Sequence, residues 1–145
     1  MIPQTEVELE NWMKCNCYNF DSYSVNGNFI WEGFGIEKNG PFFHWYYTER
    51  AEKNTLEIFR TEKEITEFAY NQLINDKWAK AHCIGFGLNK NEAEELAEIL
   101  KNMDIEYFQD EIPYYINKAA FRTFILGCDI KRAENLKIRY YKEPE

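Results

Sequence analysis

The chain is expected to fold as one α+β domain spanning residues 1–145, an N-terminal antiparallel meander of aromatic strands packed with three or more helices. Three observations carry that expectation. Aromatic runs between residues 18 and 49 are punctuated by Asn26-Gly27 and Asn39-Gly40. Asn-Gly between apolar runs marks a hairpin, because both turn residues must take positive φ. Apolar residues over 61–81 and 89–103 recur at spacings of three and four, the period of a helix. The length of 145 residues with 45% hydrophobic content suits a single core that folds without staples.

Taken in order, Thr5 to Lys14 predicts a short helix that buries Val7, Leu9, Trp12 and Met13. Strands are expected at Tyr18 to Val25, Phe29 to Lys38, Pro41 to Glu49 and Thr55 to Arg60. Aromatics on both faces of such a sheet require one face to be covered by helices. Thr61-Glu62-Lys63-Glu64 is a capping box, and the helix it opens is expected to reach Ala81. Ile65, Phe68, Ala69, Leu73, Trp78 and Ala81 lie along its apolar face, and Gly85-Phe86-Gly87 ends the run. A second helix from Asn89 or Asn91 to Met103 places Glu94, Glu95 and Glu98 outward. Then come a short strand at Ile105 to Gln109, a turn at Asp110-Glu111, a strand at Phe121 to Gly127 and a helix capped by Asp129 that runs to Tyr141. The tail Lys142 to Glu145 is expected to fray.

Twenty-five acidic residues against seventeen basic leave a net charge of −8. Affinity for phosphate backbones and anionic lipid comes from clustered Lys and Arg, so no nucleic acid and no membrane partner is expected. The charge is uneven: residues 61–111 hold twelve acids and five bases, residues 112–145 four and seven. An acidic middle favours a basic partner and speeds its encounter. No apolar run reaches the roughly 18 residues of a membrane span. Met1 to Glu10 carries three Glu and no basic residue, unlike a secretory signal. A cytoplasmic location is the expectation.

Chemistry is harder to place. Cys15 and Cys17 are too close to bridge each other, and His82-Cys83 is the only second cluster. Structural zinc wants four paired ligands, so no metal site and no cofactor is expected, and the four thiols read as reduced and buried. A hydrolytic base must be His44 or His82, but no nucleophile elbow accompanies Cys83. Gly33-Phe34-Gly35 and Gly85-Phe86-Gly87 stop short of a phosphate loop and lack its Lys-Ser/Thr; they read as bulge or turn glycines. Glu94-Glu95 and Asp110-Glu111 are adjacent acids of the kind a solvated face carries. An enzyme is not expected.

Surface recognition remains. Residues 104–115 interleave acids with aromatics: Asp104, Glu106, Asp110 and Glu111 to meet basic side chains, Tyr107, Tyr114 and Tyr115 to serve as anchors. A different class of reading is a small-molecule-binding regulatory domain with an aromatic pocket around Trp31, Phe43, Trp45 and Tyr47.

The run Phe43-His44-Trp45-Tyr46-Tyr47-Thr48-Glu49-Arg50, the passage Phe59-Arg60-Thr61-Glu62-Lys63-Glu64 into a helix, and Leu126-Gly127-Cys128-Asp129-Ile130 together make residues 29–140 resemble the small immunity proteins of bacterial polymorphic toxin systems, contact-dependent inhibition included. The resemblance implies a cytoplasmic, antitoxin-like inhibitor that binds one cognate toxin domain and occludes its active site without catalysis of its own. Many toxins of such systems are nucleases with basic clefts, which suits the charge of −8.

Overall fold

The computed structural model describes residues 2–142, so most of the charged tail, residues 143–145, lies outside the described residues. The α+β class holds. The backbone gathers into two compact units, Met1–Lys80 and Ala81–Glu145, each built on one sheet.

The first unit opens with helix α1 (Glu6–Cys15), whose N-cap Thr5 accepts from the Glu8 N–H. Strands β1 (Tyr23–Ser24), β2 (Gly33–Asn39), β3 (Phe42–Glu49) and β4 (Glu52–Phe59) lie in that order in one sheet. Helices α2 (Glu62–Ile74) and α3 (Lys77–Lys80) complete it. The expected capping box is present: Thr61 Oγ1 accepts from the Glu64 N–H and donates to the Glu64 carboxylate. The helix stops at Ile74 rather than Ala81, because Asn75 and Asp76 turn the chain and Ala81 begins a strand.

Asn39-Gly40 does mark a hairpin. Asn39 pairs with Phe42, so the turn residues are Gly40 and Pro41, with Gly40 at φ +61°. Asn26-Gly27 does not. Both residues take positive φ, yet β1 pairs with β2 in parallel, Tyr23 opposite Phe34 and Ser24 opposite Gly35. The Asn28 side chain explains the change. Its carbonyl accepts from the Val25 N–H at 2.8 Å, and its amide donates to the carbonyls of Tyr23 and Phe20 at 2.9 and 3.3 Å. Residues 25–32 are thus held as a loop. The chain then returns through Gly33, at φ +142°, where a Cβ would collide with the Ser22 backbone.

Strand β3 decides the faces. Phe43, Trp45 and Tyr47 point to the helices, and His44, Tyr46 and Thr48 point away, since strand side chains alternate. Trp45 is 1% exposed, stacked on Phe34 and edge-on to Phe68 of α2. Leu9, Met13, Ile65, Ala69 and Leu73 close the core around them. Full burial of each large side chain contributes about 1.5–3 kcal/mol, more than a cap contributes, so this layer rather than local propensity holds α1 and α2 in place. The Tyr23 hydroxyl reaches into the same layer, donating to Asp76 at 2.8 Å and accepting from Gln72 at 3.1 Å.

The second unit begins with β5 (Ala81–Gly87), not the helix end the sequence suggested. Helix α4 (Lys90–Asn102), capped by Asn89 as expected, follows it. Strand β6 (Tyr107–Tyr115) runs straight through Asp110-Glu111, where a turn was expected, and returns as β7 (Lys118–Leu126). The reversal lies at Ile116-Asn117, with Asn117 at φ +63°. The sheet order is β5-β7-β6, all antiparallel, so β6 is an edge and can hold Pro113. After a single 3-10 turn at Gly127–Asp129, the predicted last helix is split into α5 (Ile130–Ala133) and α6 (Leu136–Tyr140). Asp129 makes no side-chain cap there. Ile84, Leu96, Leu100, Ile105, Ile125, Ala133 and Tyr140 form the core of this unit.

Turn Arg50-Ala51 joins β3 to β4 with φ +53° and +65°, a geometry that costs about 1–2 kcal/mol for each non-glycine residue. Ala51→Gly should therefore raise unfolding stability by about 0.5–1 kcal/mol in a urea titration, and Gly33→Ala should lower it sharply. Burial, with Tyr70 and Asp76 nearby, pushes the Tyr18 phenol up to about 12, and burial raises that of Tyr23 as well. The folded state keeps these protons when the unfolded chain, near pH 10, has released them. Their contribution is intact below about pH 10 and is lost as pH rises towards about 12. Tyrosinate absorbance should show these phenols ionising together with alkaline unfolding.

Candidate functional site

The seven residues of the acidic-aromatic run do not assemble as one cluster. Asp104, at φ +57°, ends α4 in the position glycine usually takes: its N–H donates to the Lys101 carbonyl at 3.1 Å and that of Ile105 to Leu100 at 3.0 Å. Glu106 follows, exposed. From Tyr107 to Tyr115 the rest are strung along β6, some 27 Å at about 3.4 Å per residue. Alternation sends Tyr107, Gln109 and Glu111 to one face and Phe108, Asp110 and Tyr114 to the other. Asp110 is already ion-paired within the chain: Arg122 on β7 bonds both its oxygens, at 2.8 and 2.5 Å. Tyr114 lies edge-on to Phe86 and Tyr115. Glu111 is exposed.

A more coherent surface lies on the first unit, on the face of β2–β4 turned away from α1 and α2. There the loop 25–32, pinned by Asn28, and the β3–β4 turn enclose a groove of about 1010 Å³. Tyr46 forms its floor and is 6% exposed. Gly35 permits this, since a Cβ there would run into the Tyr46 ring. Lys53 lies over the same ring at 4.5 Å while bonding Glu37 at 3.3 Å. Above the floor stand Phe29 and Trp31, 72% and 82% exposed, edge to face at 4.9 Å. Ile30 between them points inward at 8%. Glu32 stands at the rim with Arg50 and accepts from the Tyr47 hydroxyl at 3.1 Å.

Of the aromatic pocket expected around Trp31, Phe43, Trp45 and Tyr47, only Trp31 lines this groove. The other three belong to the opposite, helix-covered face by strand alternation, and Tyr46, Phe29 and Ile30 take their place. The sequence signal was the alternation itself: within Phe43-His44-Trp45-Tyr46-Tyr47 the two faces separate by parity.

The catalytic candidates are dispersed. His44 bonds Thr55 Oγ1 at 3.1 Å on the open face of β3. Cys83 is reduced and half-buried. Burial pushes its thiol up, against the pull of Arg122, the direction opposite to an activated nucleophile. Of the four thiols expected to be reduced and buried, Cys15 and Cys83 are reduced but not buried, Cys15 being exposed, and Cys17 and Cys128 are disulfide-bonded. Of the glycines expected at bulges or turns, Gly85 does lie beside an irregularity in the β5–β7 ladder, where a Cβ would strike Leu96 of α4 and Thr123, whereas a Cβ at Gly87 would meet nothing. Glu95 and Glu92 on α4 tie down the C-terminal helix. Glu95 accepts from Arg139 at 3.0 Å and from the Tyr140 hydroxyl, and Glu92 from Lys142 at 2.6 Å. Among the described residues no group of three or more His, Cys, Asp or Glu is placed to hold a metal ion. No helix among them is long and apolar enough to cross a membrane.

Comparison of the chain with protein-family models, with curated proteins and with solved structures finds no match.

Proposed function

We propose that the chain is a binding protein of the immunity type, which neutralises a toxin domain of another protein by covering its active site and performs no catalysis of its own. The observation that supports this reading best is the Phe29–Trp31 pair standing in water over the Tyr46 floor. Exposed aromatics on a preformed loop are contact anchors, because they bury large area on binding at little entropic cost. The carboxylates around them and the net charge of −8 suit a basic partner. Asp104, Glu106 and Glu111 with Tyr107, Tyr114 and Tyr115 enter the reading as a second, dispersed face. Asp110 leaves it, held by Arg122.

The groove volume of about 1010 Å³ also keeps a small-molecule reading in view, since ligand pockets run to about 1,000 Å³. Such pockets enclose their ligands, however, and a tryptophan 82% exposed encloses little.

Co-expression with a toxin domain co-purified from the native cells should restore growth. Trp31→Ala should weaken that complex about thirtyfold, the loss of an anchor worth about 2 kcal/mol, without lowering thermal stability. Rescue unchanged by Trp31→Ala and Phe29→Ala together would remove the groove from the interface. A thermal shift with a metabolite and no rescue would favour the ligand-binding reading.

The proposed compartment is the cytoplasm, on the acidic character of the sequence's opening residues, unlike that of a secretory signal; the disulfide-bonded Cys17 and Cys128 count against it, because thiols there are kept reduced. Acid-quenched, denatured cells should then yield alkylation at Cys17 and Cys128 as well as at Cys15 and Cys83. Labelling of the latter two alone would place the chain in an oxidising compartment.

A further inference from the structure

Strand β4 is the outer strand of the first unit's sheet, and every residue from Glu52 to Ile58 is exposed. An edge strand offers a row of unpaired N–H and C=O groups to any extended chain. The pairing with β3 settles which way its side chains point. Thr48 opposite Lys53, Tyr46 opposite Thr55 and His44 opposite Ile58 set Lys53, Thr55 and Ile58 on the groove face. Glu49 opposite Glu52, Tyr47 opposite Asn54 and Trp45 opposite Glu57 set a row of three carboxylates, Glu49, Glu52 and Glu57, on the other. Leu56 is the extra residue of a bulge. Leu56 and Ile58 are 52% and 58% exposed.

Proteins ordinarily blunt such an edge with lysine, proline, bulges or a covering segment. Here the strand has the bulge but no proline, and its one cation is turned away: Lys53 lies on the Tyr46 ring and on Glu37. Arg50 and Arg60 sit outside the strand, in the turn before it and just after its end. What faces an approaching chain is backbone, a carboxylate row and exposed aliphatic groups. That combination opposes a second copy, which would bring the same carboxylates and a further net charge of −8. It favours a strand whose side chains alternate between basic and apolar.

We propose that β4 accepts an extended segment of the protein partner as a fifth strand, with Lys or Arg of that segment over Glu49, Glu52 and Glu57 and its apolar residues beside Thr55 and Ile58. The proposal rests on the reading above that the partner is a protein, and it names how that partner is held. Main-chain bonds supply the attachment and the two faces supply the selectivity, as in other strand additions. Period-2 alternation is the requirement, because a one-residue slip would put cations on the apolar face.

The probe is a capped Lys-Val repeat peptide long enough to span β4. Its controls are a block peptide of the same composition, with all lysines first, and the repeat peptide N-methylated at alternate residues. With the full chain at low salt, the repeat peptide should bind about tenfold tighter than the block peptide, and N-methylation should abolish the difference. Hydrogen exchange should slow at the amides of Glu52–Phe59. Replacing Glu49, Glu52 and Glu57 together by Gln should weaken binding about tenfold while leaving the fold unchanged, since all three are exposed. Equal binding of repeat and block peptides, or protection confined to residues outside β4, would overturn the proposal. Protection of β4 by self-association in the peptide-free chain would overturn it too, assigning the edge to a second copy. The two readings fail separately. Toxin neutralised without protection of β4 sinks the fifth strand alone, and a protected β4 with no toxin rescued sinks the immunity function alone.

Discussion

Strand alternation along β3 is the constraint on which the first unit depends. Because Trp45 must bury its whole ring between Phe34 and Phe68, Phe43 and Tyr47 follow it inward. His44, Tyr46 and Thr48 are then forced to the far face. That face has no helix among the first unit's elements to cover it, so a buried tyrosine there needs other shelter. Tyr46 finds it in the missing Cβ of Gly35, the ammonium of Lys53 over its ring and the loop pinned by Asn28. The groove is therefore a by-product of core packing on the opposite side. Its floor is as fixed as the core, and only its rim, with Phe29 and Trp31, remains in water.

Local signals placed the helices well and the reversals poorly. Thr5, Thr61 and Asn89 cap α1, α2 and α4 through side-chain bonds to the backbone two or three residues on, and such bonds are written in adjacent residues. Helix ends were harder to read. Cys17 and Asp104 both sit at positive φ just past α1 and α4, each closing the helix with a pair of backbone bonds, where the expected residue is glycine. Arg50-Ala51 makes a tight hairpin turn without a glycine. Asn26-Gly27 has the right residues and no hairpin, because Asn28 supplies side-chain bonds back to Phe20 and Tyr23 that the propensity of the turn pair does not contain.

The same limit governed the site. Asp110-Glu111 looked like a turn and a pair of solvated acids. Whether Asp110 meets water or a cation depends on Arg122, twelve residues on and on the next strand. Glu94, Glu95 and Glu98 of α4 do face solvent, yet Glu95 is anchored by Arg139 and its neighbour Glu92 by Lys142, 44 and 50 residues away. A sequence shows how many carboxylates there are. It does not show which have already found a cation, and only the remainder can steer a partner. The alternation within Phe43 to Tyr47, by contrast, was there to be read by parity.

Edge and groove answer to one geometry. The sheet that must bury Trp45 has to end somewhere, and it ends at β4, exposed from Glu52 to Ile58 and packed against the core at Phe59. Stability therefore places few demands on Glu52, Asn54, Leu56 or Glu57. Their side chains are set by something other than packing, since a strand with no core to serve would be least hazardous with lysine and proline throughout. A carboxylate row on one face and aliphatic groups at the bulge and on the other is a different choice. In the fifth-strand proposal it disfavours a second copy and leaves the backbone open to a strand of opposite charge. Electrostatics of this kind contribute more to partner choice and encounter rate than to affinity. The affinity has to come from buried area, which Phe29 and Trp31 hold in reserve on the same sheet.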